Sequence, residues 1–266
     1  MVDVMLASPM NRHADIFGDD WAMELKMDGR RVVVEIADGE VRPHGRDGLP
    51  TYVPPAVAAQ LAPLGDCLID GELIGNDFVA FDLPHLIGME YRQRREGMER
   101  LFSLWKNHPN IHLVPSASSA DDKIDMAKKV RERGGEGLVA KRVTSTYANG
   151  RSRDWVKIKQ HHTVDCVVLS LGADKQNMVV AVFDGPRTIE FEIGRTVGDG
   201  PIAKPGDVIE VRCLYVTDDD RLYQPVAQKI RTDKIPDECT VDQLAGCRPD
   251  KTLPIRWTSR RSDERS

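Results

Sequence analysis

Apolar and polar positions alternate in recognisable blocks along the chain. Arg31-Val-Val-Val-Glu-Ile-Ala is β-branched and reads as a strand, and Asp38-Gly39 supplies the positive-φ pair of a tight hairpin turn. Residues 22–47 therefore read as strands, with Lys26 ending one of them. Pro54-Pro55 followed by Ala-Val-Ala-Ala-Gln-Leu predicts a short helix, since proline suits a first helical turn. Cys67-Leu-Ile-Asp-Gly-Glu-Leu and Phe78-Val-Ala-Phe-Asp-Leu predict two more strands. From Glu90 to Trp105 the residues Met98, Leu101, Phe102 and Trp105 recur at helical spacing, and Pro109 follows. A second helix is predicted from Asp121 to Arg133, capped by Asp121-Asp122 and stopped at Gly134-Gly135. Leu138-Val-Ala and Trp155-Val-Lys-Ile-Lys return to strand character. Helices mixed with antiparallel strands make the expected fold class α+β.

Beyond a boundary at 160–163 the helical period fades. Val164–Leu171, Met178–Phe183, Thr188–Val197 and Val208–Val216 read as strands separated by Gly, Pro and Asp turns. Five or so short strands in roughly 80 residues suit a small β-barrel, either oligonucleotide-binding (OB) or SH3-like. After Gly246 the chain carries few apolar anchors, and residues 248–266 hold six basic against three acidic side chains. The expected organisation is a first domain at 1–161, a barrel at 162–246 and a flexible basic tail at 247–266.

Composition narrows the classes. At 266 residues, 41% hydrophobic and 30% charged, the chain has the balance of a soluble globular protein. It shows neither a basic-then-apolar leader nor a run of about 20 apolar residues, so no membrane contact and a cytoplasmic location are expected. Five cysteines without a C-x-x-C pair argue against a disulfide framework and a zinc ribbon. A net charge of −5 and a pI near 5.8 are not those of a uniformly basic nucleic-acid binder. Arg92, Arg94 and Arg95, or Arg256, Arg260 and Arg261 in the tail, read equally as local basic patches and as solvated surface. No P-loop, H-E-x-x-H or Ser-His-Asp pattern is present.

The first chemical cluster is Glu24-Leu-Lys-Met-Asp-Gly-Arg-Arg31, in which Lys26 stands shortly before Gly29, read as a residue that lets the backbone turn. A lysine nucleophile must lose its proton, which nearby cations promote; Arg31, Lys157 and Lys159 are candidates for that field or for clamping phosphates. Order and spacing add weight: Asp70-Gly-Glu-Leu73, Phe81-Asp-Leu83, Glu136-Gly-Leu-Val-Ala-Lys141, Trp155-Val-Lys-Ile-Lys159 and Arg231-Thr-Asp-Lys234 follow in turn.

Together these runs resemble the successive motifs of the covalent nucleotidyltransferase superfamily, specifically the ATP-dependent DNA ligases, across residues 24–234. The resemblance implies a nucleotidyltransferase (adenylation) domain of antiparallel sheets with helices, followed by an OB-fold barrel. It implies Lys26 as the residue that takes up AMP from ATP, Glu24 near the adenine, Arg31 and Arg46 on ribose or phosphate, and Phe81 stacked on the base, with Phe78 as the fallback. It implies Glu72 and Glu136 at ribose and at Mg²⁺ or Mn²⁺, whose hard character suits carboxylates. Lys141, Lys157 and Lys159 fall where the family contacts phosphate, and Arg231 and Lys234 where it meets pyrophosphate. The implied partner is nicked double-stranded DNA, handled by a monomer in replication, repair or recombination, in the host cytoplasm if phage-encoded.

Three departures stand out. Gly45 precedes Arg46 where the family has a hydroxyl residue, only nine positions separate Glu72 from Phe81, and the barrel has no long insertion that would close around DNA. The 25 residues before Lys26 lead one to expect neither a nicotinamide-recognition domain nor a large DNA-binding domain, as in phage, viral and accessory bacterial ligases. The rivals are a capping guanylyltransferase, which would label with GTP, and a silent nick-binding protein, which would lack the lysine or the metal carboxylates.

Overall fold

The computed structural model describes residues 4–10, 15–103, 108–172, 177–194 and 203–249. The chain divides into two compact units: the described residues up to Val130 with Gly137–Ile158, and Arg131–Glu136 with the described residues from Lys159 onward.

Ten strands and three helices run through the first part of the chain in the order β1 (Met5–Pro9), β2 (Trp21–Leu25), β3 (Arg30–Ala37), β4 (Glu40–His44), α1 (Pro55–Leu61), β5 (Cys67–Ile74), β6 (Asp77–Asp82), α2 (Tyr91–Ser103), β7 (Ile111–Leu113), β8 (Ser116–Ala117), α3 (Ala120–Glu132), β9 (Gly137–Arg142) and β10 (Gly150–Lys159). They build two five-stranded sheets, β1-β10-β9-β2-β8 and β4-β3-β5-β6-β7. The pairs β1/β10 and β6/β7 are parallel. The β3–β4 hairpin turns at Asp38 (φ 53°) and Gly39 (φ 75°), the left-handed pair its sequence predicts.

Helix packing follows the apolar spacing. Met126 and Val130 of α3 join Trp21, Met23, Leu138 and Ala140 of the first sheet in one cluster. Val57 and Leu61 of α1 and Met98 of α2 pack with Val32, Val34, Ile69 and Phe78 of the second. Because side chains alternate along a strand, β6 divides its own: Phe78 and Ala80 go to the helical side, Val79 and Phe81 to the cluster of the first sheet. The cap of α3 differs from expectation, since Ser119, not the Asp121-Asp122 pair, accepts the Asp122 N–H through its Oγ at 3.1 Å. Trp105 lies outside the described residues.

The second unit contains β11 (His162–Leu171), β12 (Asn177–Asp184), β13 (Arg187–Gly194), β14 (Val208–Cys213), β15 (Tyr215–Val216), β16 (Leu222–Tyr223), β17 (Val226–Ile230) and the short α4 (Asp242–Ala245). Five strands form an antiparallel sheet in the order β13-β12-β11-β14-β17, and β15 and β16 form a separate ribbon. The run read as one strand from Val208 to Val216 is thus two, parted at Leu214, whose N–H bonds the Tyr223 carbonyl at 3.0 Å. No ladder among the described residues closes the sheet into a barrel. The tail expected from 247 begins with anchored residues: Cys247 is buried in the core, and its carbonyl accepts the Val216 N–H at 2.9 Å. Arg248 donates to the Thr217 carbonyl at 3.1 Å; residues 250–266 lie outside the described residues.

Candidate active site

Within the first unit a cleft of about 250 Å³ is lined from β1, β2, β3, β5, β6, β9, β10 and two loops. It brings together eight side chains singled out by the sequence: Glu24, Lys26, Arg31, Arg46, Glu72, Phe81, Lys141 and Lys157.

The floor is a buried charge network. Glu24, second from the end of β2, is only 2% exposed, and a carboxylate so desolvated is costly unless paired. Its partners surround it: the Tyr91 hydroxyl donates to Oε1 at 2.5 Å, Lys141 Nζ lies 2.8 Å from Oε2, and Arg95 Nη1 lies 3.6 Å from Oε1. Burial and then the Glu24 charge push the Tyr91 phenol far above its ordinary range, so it stays a donor. Lys141 is as buried as Glu24, donates also to the Phe81 carbonyl at 2.7 Å, and sits 4.2 Å above the Trp155 ring. Beneath it Asp82 and Arg94, both fully buried, form a two-point ion pair at 2.6 and 3.2 Å. Arg94 Nη1 donates to the Met89 and Ser145 carbonyls at 2.7 and 3.0 Å.

One wall is made by the β3–β5 ladder, which sets Arg31 opposite Glu72. Arg31 holds Asp70 through Nε at 2.9 Å and through Nη2, and donates to the Met5 carbonyl at 2.8 Å. Burial works against its charge, but Asp70 outweighs it and the guanidinium is held above its usual range. Its planar face lies 5.3 Å from the Phe81 ring centre. Tyr147 secures Asp70 from the other side with a 2.7 Å hydrogen bond.

Lys26 is the first residue beyond β2, and its backbone N–H bonds the Gly137 carbonyl at 2.9 Å. Gly29 is needed for a reason the sequence does not announce. Its φ is not positive; instead a Cβ there would stand 2.4 Å from the Leu73 carbonyl oxygen, so only glycine lets this loop lie against β5. Arg46 rides a turn closed by Gly45 N–H to the Leu49 carbonyl at 2.7 Å. A Cβ at Gly45 would meet Asp47 Oδ1 at 2.9 Å, and that oxygen accepts the Leu49 N–H, so a larger residue there would have to displace the Asp47 side chain.

The remaining predicted residues are placed elsewhere. Phe78 is buried on the helical side of β6, so the fallback stacker is excluded and Phe81 alone lines the cleft. Lys141, expected at phosphate, has its amine engaged in the floor. Glu136 and Lys159 fall in the second unit, where Lys159 Nζ donates to Gln224 Oε1 at 3.0 Å. Arg231 and Lys234 converge there on the nearly buried Asp165, Arg231 at 3.0 Å, and Arg231 also grips Asp233 at 2.7 and 2.8 Å. The structure adds Tyr91, Arg94, Arg95, Asp70, Tyr147 and Trp155, to which the sequence reading gave no role in the site. Trp155 shares a strand face with Lys157 at i, i+2, a signal that was there to be used. Its indole N–H is buried without a partner among the described residues, and so awaits an acceptor.

A lysine-bearing loop beside a cleft lined from two sheets, with a five-stranded antiparallel sheet next in the chain, matches the fold of a nucleotidyltransferase unit followed by an OB-type unit. Residues 76–159 match the family model of the ATP dependent DNA ligase domain. A solved Lig E DNA ligase shares the fold with a TM-score of 0.68 at 21% identity, over 87% of this chain and 100% of that one. A mycobacterial DNA ligase D complexed with ATP and MES is 25% identical, with a TM-score of 0.53, over 90% and 97%. The multifunctional non-homologous end joining protein LigD of Pseudomonas aeruginosa is 33% identical over 168 residues, which are 53% of this chain and 20% of that protein. Its Mycobacterium bovis namesake is 28% identical over 88% of this chain and 39% of its own length. On these matches the chain is similar to the ATP-dependent DNA ligases. It spans well under half the length of these two curated relatives.

Proposed function

We propose that the protein seals nicks in duplex DNA by way of a lysyl-AMP intermediate. The observation that carries this reading is the placement of Lys26 in one cleft with Phe81 and Glu24 and with the cations Arg31, Arg46 and Lys157. The Lys26 amine attacks the α-phosphorus of ATP, the N–P bond forms as the P–O bond to pyrophosphate breaks, and the amine proton passes to solvent. AMP then moves from Lys26 to the 5′-phosphate at a nick, and the adjacent 3′-hydroxyl displaces AMP to leave a phosphodiester. Arg31, already fixed by Asp70, and Lys157 stabilise charge that develops on phosphate oxygens. In the second unit Arg231 and Lys234 are stored on Asp165 and are assigned to pyrophosphate.

A divalent ion fits this chemistry. Mg²⁺ binds through one or two carboxylates plus substrate phosphates, and Glu72 gives the cleft a carboxylate beside Lys26 and Lys157. Glu72 would hold it; when bound it offsets phosphate charge. The relatives named for end joining suggest break repair as the cellular task.

The test is incubation with α-labelled ATP or GTP and Mg²⁺, denaturing electrophoresis, then a chase with nicked duplex DNA. Label from ATP that the nick discharges into a sealed strand is the expected result, and Lys26→Ala should take none. Undiminished label on that variant refutes the nucleophile; label from GTP alone favours a capping enzyme.

A further inference from the structure

Tyr91 is 1% exposed and does not line the cleft, yet it touches the one carboxylate on the cleft floor. An ionised carboxylate only accepts hydrogen bonds. Glu24 is ion-paired with Lys141 at 2.8 Å and faces Arg95 at 3.6 Å, while the Tyr91 hydroxyl donates to Oε1 and fixes the plane of the group. The lone pairs that remain toward the cleft can meet only a donor. A 6-aminopurine presents a donor at that edge, whereas a 6-oxopurine presents an acceptor and would leave two acceptors facing each other.

We infer that Tyr91, supported by Arg95 one helical turn along α2, is a positioning residue for nucleobase choice, holding Glu24 so that a 6-aminopurine is taken and a 6-oxopurine refused. The inference rests on the lysyl-AMP reading above, and it moves Lys141 from the phosphate end of the cleft to the base end. Tyr91 does not line the cleft and would reach the base only through its neighbours, Glu24 first.

The experiment compares self-adenylation with ATP and nucleotidylation with purine riboside triphosphate, which lacks any 6-substituent. Tyr91→Phe is expected to raise the KM for ATP about tenfold, with the maximal rate held. With purine riboside triphosphate the variant and the parent should share one KM, because the contact that Tyr91 serves is missing. Arg95→Gln should behave likewise, and in a Glu24→Ala background Tyr91→Phe should change nothing further. Equal losses on both nucleotides would show a merely structural role and overturn the inference. So would a parent protein that uses purine riboside triphosphate as well as ATP, a result independent of how the variants fold. Absence of label from every nucleotide overturns the parent reading, whereas label from ATP with no effect of Tyr91→Phe overturns this inference alone.

Discussion

Asp82 and Arg94 are fully buried and neutralise each other beneath the cleft. Removing one member of such a pair strands a buried charge, and that penalty exceeds anything the pair itself contributes. Arg94→Met should therefore destabilise the protein by about 3–5 kcal/mol, read from chemical denaturation, even though methionine is the more apolar side chain. A change under about 1 kcal/mol would mean that water or Lys141, 3.6 Å from Asp82, takes over the guanidinium's part. This pair shows why part of the site was illegible in the sequence. Arginine on a charged helix is solvated by default, so Arg92, Arg94 and Arg95 looked alike; the fold exposes the first, buries the second and half-sinks the third. The motif residues were legible because their chemistry needs fixed types in fixed order. Their supports, Tyr91 and Tyr147, answer only to three-dimensional contacts.

Strand β6 carries two phenylalanines three positions apart, on opposite faces, and so offers an internal control. Phe78 is sealed among Val32, Ile69 and Met98, and Phe78→Ala should cost about 3–5 kcal/mol of stability while leaving the KM for ATP close to that of the parent. Phe81→Leu should do the reverse, raising that KM several-fold with little change in the melting midpoint. Exchange of the two phenotypes would show that β6 pairs in a different register. Elements held by local chemistry, such as the β3–β4 hairpin with its Asp38-Gly39 turn, could be read directly. Those that owe their existence to distant partners could not. Strands of two or three residues such as β8, β15 and β16 carry too few positions to show a period, and only a neighbour's ladder makes them strands.

Across the whole molecule the five cysteines are unpaired, and all but Cys67 are buried in the second unit. Burial pushes the Cys213 thiol up to about 12 and the Cys239 thiol to about 11, while burial and then Asp66 bring Cys67 to about 11. Reactivity follows the thiolate, so iodoacetamide at pH 8 should leave the native protein almost unmodified by intact mass and should add five groups in denaturant. Rapid modification of four thiols without denaturant would show that the second unit opens freely. The sign with pH follows from the same shifts. Unfolded thiols ionise near 9, so this contribution to stability is complete below that pH and is lost as the pH climbs through the folded values.

The parallel ladder of β1 on β10 has a consequence for how the chain is made. Ser8 and Ser152 meet across 144 positions, so a ribosome releases the first of these strands long before its partner exists. Until then one flank of the sheet that lines the cleft has no neighbour, and the emerging polypeptide carries an open hydrogen-bonding edge for several seconds at ordinary translation speeds of about 5–20 residues per second. The cleft can thus close only after β10 has emerged, well over half-way through the chain's synthesis.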